Sequence, residues 1–382
     1  MNAPRLHPLV RLFYCGVGLI GVELLFASIP ALGNVLATIW LGHPPTEPIG
    51  AIAERYGLLL AFISFLPALI WVAYCRTRLD QHSLASLGLR GNKAVSNALR
   101  GGATGILAVG LLWSVLWLCG AIRVEGWSRE IALNGLSQAA PALIGYALLF
   151  GLVALCEELV LRGYALHNLN EWLGWKSAVA AQAGLFALLH LPNASGGTEE
   201  DLFAAIGAVP SLILIGVFFA LCYRKTGSLW FPIGFHFTWN FCLGPLLSLA
   251  VSGTQTFQML SVSTRGPLWL TGGSWGAEGS FLLIPILGAL NYFISKAPDH
   301  PQAVLDLELS AHEVNFRVAP TPVLEIETEE EARANRFRTK FGSSQGFSPD
   351  TLRELRDLQE EREKTERETR AALEREQVAS SS

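Results

Sequence analysis

Three apolar stretches of this chain carry polar side chains at helical spacing, and these are the residues that could do chemistry. The first reads LLFGLVALCEELVLRGY and holds Glu157, Glu158 and Arg162. Glu158 and Arg162 are four residues apart on one helix face and can form an ion pair. Glu157 lies about 100° round the helix and has no partner on its own element. An unpaired carboxylate in apolar surroundings is a candidate general base or acid, although both glutamates could instead be structural, bonded to neighbouring helices. The second stretch ends GLFALLHLPN, with Phe186 and His190 one turn apart. A lone histidine there would more often be a satisfied core residue than a catalyst. The third begins SLWFPIGFHFTWNF, where His236 and Asn240 face the same way. Two histidines, two glutamates, an arginine and an asparagine could line one cavity. They would supply a base, an orienter for water and donors for an oxyanion, which is the equipment of hydrolysis. Two histidines and a glutamate are also a plausible catalytic zinc set, and no HExxH motif is present to decide between the two.

The elements that must position these side chains are membrane helices. Of the 382 residues, 51% are apolar and only 16% charged, against about 25% charged in soluble domains. Apolar runs long enough to span a bilayer recur at 12–39, 56–75, 101–122, 138–161, 174–190, 203–222, 229–251 and 277–295. This patterning predicts an all-α, polytopic bundle of about eight spans over residues 1–296. Arg5 and Arg11 precede the first run as in a signal peptide, but the run continues past Pro30 and contains Glu23, which favours a retained span. Basic residues in short loops orient the bundle. With the N-terminus in the cytoplasm, ten Lys and Arg fall inside and four, Arg55, Arg123, Arg129 and Arg265, fall outside. Both termini are then cytoplasmic, in what reads as a bacterial plasma membrane. The net charge of −4 without a basic patch argues against nucleic-acid binding. The six separated cysteines read as buried thiols rather than a disulfide framework.

The region from Lys296 to Ser382 holds 32 of the 60 charged residues. Residues 297–347 mix Pro, Gly, Ser and charge and are expected not to pack. Residues 349–376 are expected to form a solvated helix. Ser348 suits its N-cap, Pro349 its first turn, and Glu360–Lys364, Glu363–Arg367 and Glu366–Arg370 are supporting i,i+4 pairs. This charged cytosolic tail, 297–382, could dock a protein partner, and nothing in it suggests chemistry.

The motifs EExxxR at Glu157–Glu158–Arg162, FxxxH at Phe186–His190 and HxxxN at His236–Asn240, in that order on three hydrophobic helices, resemble those of the CAAX-protease and bacteriocin-processing family of intramembrane peptidases. The segment GPLWLTGGSWGAEGS (266–280) is also similar to the stretch before the last span in many bacterial members. The resemblance covers about residues 95–295 and implies an intramembrane endopeptidase. On that pattern Glu157 would activate a water. His190 would orient that water or polarise the scissile carbonyl. His236 and Asn240 would hold the tetrahedral intermediate, or the water. Glu158 and Arg162, with Phe186, would support the site. A metal-free glutamate mechanism is favoured over one with a divalent ion such as zinc, whose ligands would be His190, His236 and Glu157. The expected partners are membrane lipid and a peptide or membrane-protein substrate, reached through a site open to the cytoplasm. The competing expectations are a catalytically silent scaffold or immunity-type membrane protein and a transporter relaying protons through Glu and His. Intact motifs disfavour the scaffold, and the absence of internal repeats disfavours the transporter.

Overall fold

The computed structural model describes residues 5–41, 63, 65–91, 93–193 and 198–315. The fold is mostly helical, and four helices are long and apolar enough to cross a membrane. α1 is Pro8–Leu41. α2 covers residues 65–79 and ends in a π-turn at Cys75–Leu79. α3 is Ala94–Leu118. The short α4, Arg129–Asn134, is capped by the Ser128 side chain. α5, Ala139–Leu173, is one continuous helical stretch of 35 residues. α6 is Trp175–His190 and α7 is Glu199–Thr226. α8 is Trp230–Phe241, α9 is Leu283–Lys296 and α10 is Pro301–Asn315. Two antiparallel strands, β1 (Ile122–Trp127) and β2 (Leu260–Thr264), add a small sheet at one end of the bundle, which the all-helical expectation did not include.

Several boundaries differ from the hydropathy reading. The run at 229–251 is helical only to Leu246. A π-turn at Cys242–Leu246 contains Pro245, and irregular chain follows as far as β2. Proline lacks the amide that a continuing helix needs. The last apolar run becomes helical at Leu283 rather than 277. The chain also does not stop packing at 297. In α10, Ala303, Val304 and Leu307 are buried, and Asp306 pairs with Arg90. Of the six cysteines, Cys119 is exposed rather than buried. The expected helix at 349–376, and most of the run at 56–75, lie outside the described residues.

Two contacts fix the scaffold of the site. Backbones of α3 and α8 touch: a Cβ on Gly101 would collide with the Phe231 carbonyl, and one on Gly234 with the Ala98 carbonyl. Small residues at such a crossing allow close helix approach. The Thr238 hydroxyl adds a hydrogen bond to the Gly102 carbonyl at 3.0 Å. At the other end, α1, α2 and α5 are joined by buried ion pairs. Arg11 and Arg76 both bond Asp80, at 3.0 and 2.8 Å, and Arg5 and Arg11 both reach Glu171. Several arginines that count as loop charges in the sequence are thus structural ions of the interior.

Candidate active site

α5 changes character at the two glutamates. It is α-helical through Glu158 and then passes through a π-turn at Leu159–Ala165 before resuming. π-turns inside helices recur at functional sites. Here the turn holds Arg162, fully buried, against Glu158, with Nη1 2.9 Å from Oε1. The guanidinium lies over two rings, Phe186 at 4.4 Å and Phe219 at 4.8 Å, where cation–π attraction offsets part of its desolvation. Phe186 thus belongs to the packing around the ion pair.

The length of α5 also explains how His190 meets Glu157. The apolar run ends near residue 161, which sets His190 and Glu157 at different depths unless the His190 helix starts well below the membrane surface, in the stretch from Asn170 to Trp175, the arrangement the sequence favours. The helix instead runs to Leu173 and turns at Gly174 into α6. Glu157 stands 17 residues before that turn and His190 16 after it. At about 1.5 Å per residue the two limbs rise about 25 and 24 Å, which brings the side chains level. Gln182 of α6 bonds the Gly216 carbonyl of α7 at 2.9 Å and holds the hairpin in place.

His190 and His236 have inferable tautomers. His190 Nδ1 lies 2.8 Å from the Phe186 carbonyl oxygen, which can only accept, so Nδ1 carries the proton. His236 Nδ1 lies 3.0 Å from Glu158 Oε1, a carboxylate already paired with Arg162, and must also donate. Both rings therefore turn Nε2 towards Glu157, and each Nε2 is 3.9 Å from Glu157 Oε2. That oxygen is buried without a protein donor. With neutral rings, two Nε2 acceptors thus face one carboxylate oxygen. Such an arrangement requires a donor between them: a water, an added proton or a cation. The His236 ring is also stacked on Phe219, with centroids 5.6 Å apart.

The donor chemistry is also that of a catalytic zinc site. The spacing is wider: ligands about 2.05 Å from a tetrahedral ion lie roughly 3.3 Å apart, against 3.9 Å here. Among the described residues, no group of three or more His, Cys, Asp or Glu is close enough to hold a metal ion as it stands.

Glu157, Phe186, His190, His236 and Asn240 line one cavity of about 470 Å³. Glu158 and Arg162 stand behind its wall, and Glu23, exposed on α1, is not among its lining residues. Leu149, Phe150 and Val153 of α5 and Leu212 and Ile215 of α7 make its sides largely apolar. These residues lie on the β1–β2 side of Glu157, and the cavity extends that way rather than towards the Gly174 turn. Asn193, Ser252 and Glu278 also line it and were not singled out from the sequence. One signal was available: Glu278 is the only charged residue between Arg265 and Lys296.

Residues 138–242 match the family profile described as type II CAAX prenyl endopeptidase Rce1-like. No curated protein and no solved structure gives a match. The matched segment begins just before α5 and ends just after α8, and so contains all three motifs. Together with four helices able to cross a membrane, it makes residues 138–242 an Rce1-like domain of the CAAX endopeptidase family, whose members are membrane proteases acting on protein substrates.

Proposed function

We propose that this protein is an intramembrane endopeptidase that hydrolyses a peptide or membrane-associated protein with a water activated by Glu157. The observation that carries this reading is the approach of the His190 and His236 Nε2 atoms to one oxygen, Glu157 Oε2, each at 3.9 Å. A water there donates one proton to Glu157 and the other to His190. Glu157 takes the first proton as the hydroxide attacks the scissile carbonyl. The resulting oxyanion is held by the Asn240 amide N–H, and His236 Nε2 accepts a hydrogen bond from the hydroxyl of the tetrahedral intermediate. Glu158 accepts from His236 Nδ1 and fixes the tautomer that leaves Nε2 facing the cavity, as a carboxylate behind a histidine does in other hydrolases. The proton on Glu157 then passes to the leaving amine, the C–N bond breaks, and a carboxylic acid and an amine leave.

A divalent ion, if bound, would be held by His190, His236 and Glu157 and would supply Lewis-acid polarisation of the carbonyl. The apolar sides of the cavity suit apolar residues around the scissile bond. With the loop charges setting orientation, the cavity lies on the outer-facing side of Glu157, opposite to the cytoplasmic opening expected from sequence. The peptidase is assigned to residues 1–296 with the start of α10, and no part in the reaction is assigned to residues 316–382.

The test compares membrane proteomes of cells carrying the wild type and Glu157→Gln. Fragments with new C-termini that need Glu157 support the reading. Identical fragment sets overturn it and leave the silent-scaffold alternative. Processing of prenylated against unprenylated versions of the substrate so found then decides whether a lipid is recognised.

A further inference from the structure

Glu278 is a carboxylate in the cavity wall, and its hydrogen bonds go to Trp239 and Ser252, which line the same cavity. Oε1 accepts from the Trp239 indole N–H at 2.7 Å. Oε2 accepts from the Ser252 backbone N–H, in a very short contact, and from the Ser252 hydroxyl at 3.1 Å. Ser252 in turn accepts from the Asn193 side-chain amide at 2.9 Å through its carbonyl. Trp239 immediately precedes Asn240 on α8, and Asn193 follows His190 by three residues. An unbroken chain of hydrogen bonds thus runs from the end of the His190 helix to the helix that carries His236 and Asn240.

The backbone around this chain is held in costly conformations. Ser252 has φ +46°, in the left-handed region that non-glycine residues avoid. Its amide and hydroxyl both point at Glu278, so the carboxylate is what rewards that conformation. Glu278 is itself placed by a tight turn. Gly276 has φ +90°, and a Cβ there would lie 2.5 Å from the Ala250 carbonyl oxygen. The Trp275 carbonyl accepts from Gly253 N at 3.0 Å. Segments 248–253 and 272–279 are therefore locked face to face. Thr254, Gln255 and Thr256, which follow Ser252, line the same cavity as Glu157.

We propose that Glu278 is a positioning residue that, through Ser252, sets the spacing between the His190 and Asn240 sides of the active site. This rests on the endopeptidase reading above. Glu278 acts through Trp239 and Ser252 and takes no proton from the reaction. A misplacement of about 1 Å of a group holding the transition state can cost on the order of a hundredfold in rate.

The test uses the full-length protein in lipid nanodiscs. The substrate is an internally quenched peptide with apolar residues flanking the scissile bond. Glu278→Gln puts an amide N–H against the Ser252 N–H. It is expected to lower kcat at least tenfold with KM within about threefold, and to leave the shape of the pH–rate profile unchanged. Trp239→Phe keeps an aromatic ring, smaller than the indole, and removes the N–H donor; it is expected to fold and to lose part of the same rate. Asn193→Ala combined with Glu278→Gln should cost no more than the larger single loss, because both act through Ser252. Hydrogen exchange over 248–257 should quicken in Glu278→Gln while 157–165 stays protected. Wild-type exchange in that segment, an unaltered kcat, multiplicative losses or a lost pH limb would each overturn the proposal. Equal turnover by wild type and Glu157→Gln would instead refute the endopeptidase reading, and the exchange comparison needs no substrate.

Discussion

Replacing Arg162 with Ala should be among the most damaging single changes to this fold, and the structure indicates how much. Both members of the Glu158–Arg162 pair are fully buried, 2.9 Å apart. Removing one partner of such a pair costs about 3–5 kcal/mol, because the other charge is left buried and uncompensated. The two ring contacts at 4.4 and 4.8 Å add about 0.5–2 kcal/mol each. A loss of at least about 4 kcal/mol is expected, against a total stability of about 5–15 kcal/mol for a typical domain. Glu158→Gln should also destabilise, since it leaves the cation without its counter-ion. The double variant Glu158→Gln with Arg162→Met removes both charges and keeps most of the volume. It should be more stable than the Arg162→Ala single variant, as apolar replacements of buried pairs often are. It should not recover activity, because His236 Nδ1 then faces a neutral amide that no longer fixes its tautomer. The assay is reversible unfolding in mixed micelles, with peptide turnover measured per folded molecule. Arg162→Ala with wild-type stability, or a double variant whose loss is the sum of the singles, would refute this reasoning.

Glu157→Gln should fold and insert normally while turnover falls by about 10²–10⁴-fold, the contribution of a general base; retention of turnover would remove Glu157 from that role. Deleting residues 316–382 should leave peptide turnover within about twofold, whereas deleting from 297 should lower the unfolding midpoint, because it also removes buried Ala303, Val304 and Leu307 and the Arg90–Asp306 and Arg224–Asp299 pairs. Gly234→Val should separate α8 from α3 at the Ala98 carbonyl and reduce both stability and turnover, to be read from the same unfolding and peptide assays. Elemental analysis of active protein after chelation should find no stoichiometric ion required for turnover; a required ion held at one per chain would put His190, His236 and Glu157 in the role of ligands.

The parts of the site that follow from local helix geometry are visible in the sequence. The four-residue spacing of Glu158 and Arg162 makes the ion pair a local event, and the adjacent Glu157 has to point elsewhere. Helical spacing likewise puts Phe186 beside His190 and His236 beside Asn240 without knowledge of any other helix. What depends on a partner distant in the chain is not visible. The bond from His236 Nδ1 to Glu158 spans 78 residues, and that bond decides which nitrogen faces the cavity. The arginines of the N-terminal end illustrate the same limit: composition treats Arg11 and Arg76 as loop charges, whereas Asp80 and Glu171 draw them into the interior.

The relative height of His190 shows where hydropathy itself misleads. A run of apolar residues marks the stretch that lipid can tolerate, not the stretch that is helical. After Arg162 the chain becomes polar, with His167, Asn168, Asn170 and Glu171, and this reads as a loop. In the fold those same side chains are buried against the rest of the bundle. Asn168 bonds Asp80 at 3.1 Å, Asn170 bonds the Leu307 carbonyl at 3.0 Å, and His167 meets Tyr223 at 2.9 Å. Satisfied polar groups let the helix continue for a further three turns beyond its apolar part. The turn into α6 is displaced by the same distance, and only that displacement carries His190 back to the level of Glu157. The polar stretch between the first two motifs is thus the spacer that aligns them. It follows that inserting one residue between Leu166 and Leu173 should rotate the remainder of α5 by about 100°, break these three contacts, and abolish turnover without touching any motif. Turnover surviving that insertion would show that the His190 helix is aligned by α7 alone.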